Sequence, residues 1–263
     1  MCATCGCGES DGSVITIETH THDGHTHTHH HVHEHEHEHE HPHETLTLEQ
    51  KVLAKNDAIA EQNRRWFADH DITVLNLTSS PGSGKTTLLE RTIRELSGKR
   101  SVSVIEGDQE TTLDADRIHS AGANVVQVNT GAGCHLDASM IDRAVAKLQP
   151  ETGSILFIEN VGNLVCPAMF DLGEMGKVVV ISVTEGTDKP LKYPHMFAAA
   201  TLVLVNKIDL LPYVDFDLES CSQYARLVNP DVTVLPVSAK SGEGLDAWFG
   251  WVEMNCRTSI DSD

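Results

Sequence analysis

The sequence predicts an α/β fold built on a doubly wound, mostly parallel sheet. Three observations predict it. Seven short runs rich in Val, Ile and Leu recur along the chain. Several are apolar at almost every position, as strands buried on both faces require. Helical stretches stand between most of them, the order that crossover connections produce. A glycine-rich phosphate-loop pattern follows the first run and opens a helix. At 263 residues the chain has room for one good-sized α/β domain behind an N-terminal tail of about 45 residues.

The tail, residues 1–45, comes first. It carries Cys2, Cys5 and Cys7, and thirteen of the seventeen histidines lie between His20 and His43. It holds nine acidic residues and neither Lys nor Arg. So polar a segment cannot bury enough apolar surface to offset its ordering entropy, and it is expected to be disordered. Order is expected from near Thr45. Thr47-Leu48-Glu49-Gln50 has capping-box spacing, with Thr47 as N-cap. Leu48, Val52, Ile59 and Phe67 follow a helical period, so residues 46–72 are assigned to an N-terminal helix ending near Asp69.

Residues 73–263 are assigned to a phosphate-loop domain. Strands are expected at Thr73–Leu77, Val102–Glu106, Val125–Val128, Ile155–Glu159, Val178–Val183, Leu202–Asn206 and Val232–Pro236. Helices are expected at Thr86–Leu96, Thr112–Ser120, Ala138–Leu148, Asp217–Leu227 and Leu245–Cys256.

Composition excludes several classes of function. The net charge is −20, and the body alone carries 19 basic against 30 acidic residues. No basic stripe is available to neutralise phosphates, so no nucleic-acid partner is expected. No apolar run approaches the roughly 18 residues of a membrane span. Seven cysteines, an odd number, and the lack of a secretory signal argue for reduced thiols in the cytoplasm.

The sharpest motif is Ser79-Ser80-Pro81-Gly82-Ser83-Gly84-Lys85-Thr86-Thr87. Gly82 and Gly84 let the backbone curl so that its N–H groups, Ser83 among them, face phosphate oxygens. Lys85 would reach the β- and γ-phosphates, and the Thr86 hydroxyl would hold Mg²⁺. Ser79 stands where the usual pattern has its first glycine. Two later motifs identify the base: Asn206-Lys207-Ile208-Asp209 and Ser238-Ala239-Lys240. Together they resemble the guanine-recognition elements of phosphate-loop GTPases. A carboxylate such as Asp209 accepts from both the N1–H and the exocyclic amine of guanine, and adenine has no such donor pair. The strand-end carboxylates of Glu106-Gly107-Asp108 and Glu159 lie on the ligand-binding edge, and Asp108 and Glu159 are the candidates taken from them to complete the Mg²⁺ shell or position water. With them the arrangement resembles the metallochaperone and signal-recognition-particle class of GTPases.

Three clusters are candidate metal sites. Cys2, Cys5 and Cys7 pack soft ligands into a small loop, suited to Zn²⁺ or Ni²⁺. The His/Glu tract offers interchangeable weak sites, which suit storage. Cys134-His135 and Cys166 lie in loops just past expected strand ends. Taken from spacing alone, Cys134 and Cys166 read first as small buried residues.

Longer stretches resemble one family. Gly131-Ala132-Gly133-Cys134-His135-Leu136-Asp137, Glu159-Asn160-Val161-Gly162-Asn163-Leu164-Val165-Cys166-Pro167 and Glu185–Pro194 are similar to the hydrogenase nickel-incorporation GTPases, the HypB family. The cysteine triplet and histidine tract resemble that family too. The resemblance implies a nickel or zinc site at Cys134, His135 and Cys166, on the interface of a homodimer promoted by GTP or metal. It implies partners among hydrogenase maturation proteins and the hydrogenase large-subunit precursor. It leaves two rivals: a nickel-storage protein with a regulatory GTPase domain, and a urease-type accessory GTPase. Lys189 and Lys192 fall in a family-like loop and are candidates to touch nucleotide or the other subunit. Cys221 and Cys256 are expected in the core.

Overall fold

The computed structural model describes residues 41–108, 113–131 and 133–256. The described residues from Val52 onward form one compact unit, divided from those before it within the first helix, α1 (His41–Asp69). Up to residue 40 the expected disorder of the tail lies outside the described residues, whereas residues 41–45, assigned to the tail, belong to α1. Thr47 does not begin the helix. α1 starts at His41, and Thr47 lies inside it. Pro42 explains how. In the first helical turn its missing N–H costs nothing and its fixed φ suits the helix, so initiation there needs no cap at Thr47.

The rest alternates as expected: β1 (Thr73–Ser79), α2 (Lys85–Leu96), β2 (Val102–Asp108), α3 (Leu113–Ser120), β3 (Asn124–Asn129), α4 (Ala138–Leu148) and β4 (Ile155–Glu159). Then come the short α5 (Cys166–Met169), β5 (Gly176–Ser182), α6 (Lys189–Lys192), α7 (Pro194–Ala198) and β6 (Ala200–Asn206). A 3₁₀ turn over Ile208–Tyr213, α8 (Leu218–Val228), β7 (Thr233–Pro236) and α9 (Leu245–Asn255) complete it. The seven strands form one sheet, order β3-β2-β4-β1-β5-β6-β7, and every neighbouring pair runs parallel. Among the described residues no helix is long and apolar enough to cross a membrane.

Strand burial follows position. β1, β4 and β5 are buried at every residue, whereas the edge strands β3 and β7 are only partly covered. Alternate side chains feed two layers. Leu75, Leu77, Phe157, Val178 and Val180 pack on one face with Leu88, Leu89 and Ile93 of α2, Ile118 of α3 and Trp248 of α9. On the other face Val74, Ile105 and Ile158 meet Phe67 of α1 and Ile141 of α4, while Val179 and Val203 meet Phe197 of α7 and Cys221 of α8. Cys256 joins the first layer. Burial pushes the Cys221 thiol up to about 11, so it is a packing group rather than a nucleophile.

The connection from β4 to β5 departs from the expected rhythm, because it holds only the four-residue α5. α1 occupies the role of the missing crossover helix there. Asn63 Nδ2 donates to the carbonyls of Ala138 (2.9 Å) and Leu172 (3.1 Å), and Asn56 Nδ2 to that of Asp171 (2.8 Å). Gly173 makes the approach possible, since a Cβ there would meet Ala60 O at 2.6 Å. A buried ion pair, Lys177 Nζ to Glu174 Oε1 at 2.6 Å, sits beneath. Burial would raise the Glu174 pKa, but Lys177 and further hydrogen bonds hold it below its ordinary value.

Trp248 tests this packing. It is fully buried, and its indole N–H donates to Thr92 Oγ1 at 2.8 Å. Thr92→Val keeps the shape but removes the acceptor. Chemical denaturation followed by Trp fluorescence should show a loss of about 1–3 kcal/mol, the cost of an orphaned buried donor.

Candidate functional site

All strands being parallel, their carboxyl ends share one edge, where ligands of open α/β sheets bind. The loop after β1 turns at Gly82 (φ 72°) and Gly84 (φ 98°), and Gly84 stands as N-cap of α2. A side chain at Gly84 would also collide with Asn206, its Cβ lying 2.6 Å from Nδ2. The first turn of α2 therefore opens onto the loop with its N–H groups and its partial positive charge. Ser83 is buried, and its Oγ has no hydrogen-bond partner.

Lys85 Nζ donates to Ser79 Oγ at 2.7 Å, so the residue in place of the usual glycine holds the loop lysine. Thr86 Oγ1 donates to Glu159 Oε1 at 2.8 Å. Glu159 ends β4 and pairs in register with Glu106 of β2. Both are buried, and Oε2 of each lacks a hydrogen-bond partner. Burial raises the Glu159 pKa, against the attraction of Lys85. Burial, then the Glu159 and Asp108 charges, push Glu106 up to about 8. Burial also lowers the Lys85 pKa, opposed mainly by Glu159. Two orphaned carboxylate oxygens beside a threonine hydroxyl are the donor set of a hard divalent cation, and they fit Mg²⁺. The sequence shows Glu106-Gly107-Asp108 at the end of β2 and offers Asp108 as the site residue; the structure adds Glu106. Glu106 lies two residues earlier on the same strand, so strand alternation was the signal available for it.

The two motifs read for guanine are stitched to this loop. Asn206 Nδ2 donates to Ser83 O at 2.8 Å, while its Oδ1 accepts from Ala239 N at 3.0 Å. Lys207, in the left-handed region at φ 64°, reaches Gly82 O at 2.7 Å. Asp209 Oδ1 accepts from Ser238 Oγ at 2.6 Å. Arg91 of α2 donates to the carbonyls of Ala239 (3.1 Å) and Lys240 (2.8 Å). On α2, Thr87 Oγ1 accepts from Arg117 at 3.1 Å. Lys189 reaches the loop as well, 3.2 Å from Ser80 Oγ and 3.2 Å from Glu185 Oε2. Lys192 is exposed and pairs with Asp188 at 2.8 Å instead.

Cys134, His135 and Cys166 come together although 32 residues separate the two cysteines in sequence. Their ligating atoms all lie within 4.8 Å of one another. Cys134 Sγ is 2.9 Å from Cys166 Sγ and 3.6 Å from His135 Nδ1, and no disulfide joins the thiols. The His135 ring stacks on Phe170, centroids 3.9 Å apart, and burial lowers its pKa, favouring the neutral imidazole that ligates metals. Two soft thiols and an imidazole suit Ni²⁺ or Zn²⁺. Cys2, Cys5, Cys7 and the histidine tract up to residue 40 lie outside the described residues.

Gly162 packs this segment onto the phosphate loop, where a Cβ would stand 3.2 Å from Pro81 Cα. Asn163 Nδ2 donates to Cys134 O at 3.2 Å. The chain from Glu159 to Cys166 thus touches both the nucleotide-type loop and the thiol cluster.

Known proteins resemble this chain in sequence and in fold. Residues 73–236 match the family described as CobW/HypB/UreG, nucleotide-binding domain. A hydrogenase maturation factor HypB of Azotobacter vinelandii is 59% identical over 215 residues, covering 82% of this chain and 71% of that one. Its counterpart in Escherichia coli K12 is 60% identical over 208 residues, covering 79% and 72%. The crystal structure of HypB from Helicobacter pylori in complex with nickel superposes with a TM-score of 0.73 at 36% identity, covering 79% of this chain and all of that one. The chain belongs to the HypB family of hydrogenase maturation factors.

Proposed function

We propose that this protein is a GTP-hydrolysing nickel metallochaperone that assists nickel insertion into the large subunit of a [NiFe] hydrogenase. It acts in the cytoplasm as a homodimer promoted by GTP or metal, with other maturation proteins and the large-subunit precursor as partners. One observation carries the reading: the segment Glu159–Cys166 runs from the phosphate-type loop to the thiol–imidazole cluster, so one loop serves both sites. The Helicobacter pylori relative, crystallised in complex with nickel, supports the choice of cargo.

GTP is the substrate. Loop N–H groups around Ser83 and the first turn of α2 receive its phosphates, and Thr87 supports that turn. Asp209 takes the two donors of guanine, while Asn206, Lys207 and Ser238–Lys240 hold that base site to the loop. Water attacks the γ-phosphorus, the bond to the β–γ bridging oxygen breaks, and GDP and phosphate leave. Lys85 stabilises negative charge developing on the phosphate oxygens. Thr86 and Glu159, with Asp108 and Glu106, would hold Mg²⁺, which when bound neutralises phosphate charge. Glu159 and Asp108 order their loops with GTP and relax with GDP. Cys134, His135 and Cys166 hold Ni²⁺, with Zn²⁺ able to take the same ligands, and release it as the loop relaxes. Cys2, Cys5, Cys7 and the histidine tract supply a reservoir.

Three experiments test this. Lys85→Ala should abolish GTP hydrolysis while tail metal binding stays near the parent level; collapse of metal stoichiometry would refute the separation of tail and GTPase. Asp209→Asn loses both charge-assisted bonds, so GTP affinity should fall on the order of 10²- to 10⁴-fold by calorimetry, with xanthosine triphosphate partly restored. Unchanged GTP affinity would remove Asp209 from the base site. Deleting residues 1–44 should lower nickel stoichiometry and leave Cys166-dependent binding in place, and Cys166→Ala should do the converse. If the deletion abolished hydrogenase maturation even with excess nickel, the tail would be a delivery arm rather than a reservoir.

A further inference from the structure

We propose that Asn160 is the positioning residue that transmits the state of Glu159 to the metal-ligating loop. The proposal rests on the functional reading above and names the side chain through which the two sites are joined. Asn160 follows Glu159 directly and is 2% exposed. Its Oδ1 accepts from Leu136 N at 3.2 Å and from Val161 N at 3.0 Å. Leu136 is the residue immediately after Cys134-His135. Asn160 Nδ2 donates to Asn76 Oδ1 of β1 at 3.3 Å, and its backbone N–H donates to Leu77 O at 2.9 Å. One buried side chain therefore touches the strand that leads into the phosphate-type loop, the Glu159 segment and the Cys134-His135 loop.

The orientation of that amide is set from below. Asn76 Nδ2 donates to Glu174 Oε1 at 3.0 Å, which commits Asn76 Oδ1 to face Asn160. Glu174 is in turn held by Lys177 at 2.6 Å and by Leu172 N at 2.7 Å. Lys177 Nζ also donates to Phe170 O at 3.0 Å, and the Phe170 ring lies against His135. The contacts close a circuit: Asn160, Asn76, Glu174, Lys177, Phe170, His135, Leu136 and back to Asn160. Flipping the Asn160 amide would set donors against two backbone donors. Moving Asn160 without Leu136 would leave a buried N–H unpaired, a cost large enough to drag the loop along.

Thr86 supplies the input. Its single hydroxyl proton now goes to Glu159. A cation bound with the phosphates would compete for that hydroxyl and for the carboxylate, so Glu159 has different partners in the two nucleotide states. Asn160 shares its backbone, and its side chain pulls on the amide next to His135. Coupling of this kind ordinarily changes affinity about 5- to 150-fold.

The test uses the full chain with Cys2, Cys5 and Cys7 changed to serine, so that nickel–thiolate charge-transfer absorption reports Cys134 and Cys166. Nickel affinity is measured with GDP and with a non-hydrolysable GTP analogue. The parent should show a difference within that range. Asn160→Ala should bring the ratio of the two affinities close to one while both nucleotides still bind. Asn160→Asp, whose protonated form keeps acceptors for Leu136 N and Val161 N and offers a hydroxyl to Asn76 Oδ1, should retain most of the ratio at a pH where that buried carboxyl is neutral, a rescue that a general loss of packing would not produce. If the alanine variant does not fold, Asn160→Ser, too short to reach Leu136 N, takes its place. A parental ratio preserved in the alanine or serine variant would overturn the role of Asn160 alone, as would an aspartate variant no better than alanine. Equal nickel affinity with both nucleotides in the parent would instead sink the functional reading, and the role of Asn160 with it.

Discussion

A parallel sheet brings every strand's carboxyl end to one edge, and the rest of this structure depends on that constraint. The edge is held together at one side chain in particular. Asn206, at the end of β6, donates to Ser83 in the loop after β1 and accepts from Ala239 in the loop after β7. Three loops from distant parts of the chain take their relative positions from a single buried amide. Gly84 is part of the same constraint, because the Asn206 amide occupies the space a side chain there would need.

At the centre of the edge the electrostatics are unfavourable until a ligand arrives. Lys85 faces two buried carboxylates, one of them shifted to about 8, and each has an oxygen without a hydrogen-bond partner. Folding has taken these ionisable groups out of water without fully pairing them, and burial shifts each toward its neutral form. Such a site gains more from a cation and polyphosphate than a relaxed surface would. The thiol cluster nearby is of a different kind. It is soft, and its imidazole is kept neutral by burial. Hard and soft donors thus stand at opposite ends of the segment Glu159–Cys166, which gives one stretch of chain two chemically distinct ligands to respond to.

Much of this was legible in the residues. Uninterrupted Val and Ile runs marked the central strands because those strands are buried on both faces, and boundaries differed by only a few residues. Asp217, read as a helix start, caps α8 by accepting from Ser220 N at 3.0 Å. Thr47 misled because capping-box spacing is a local pattern, and Pro42 allowed the helix to begin earlier. Glu106 stood with Asp108 at the strand end, on the same face by alternation, and its register opposite Glu159 is what the fold added. Cys134 and Cys166 read first as core residues by spacing, and family resemblance alone had joined them.

The sequence by itself determined the class of fold, the family, and the residue types that nucleotide and metal chemistry would need. Each of these rests on local spacing or on whole motifs, which are visible in the linear chain. The tertiary structure decided which of those residues meet. It set Ser79 on Lys85, Lys189 rather than Lys192 beside the loop, and Cys166 against Cys134. It also decided that Asn76, Asn160 and Glu174, unremarkable in the chain, form one buried polar circuit. Hydrogen bonds between residues 84 or 98 positions apart leave no period in a sequence. They exist because burial makes an unpaired amide or carboxylate costly, and the fold supplies the partner.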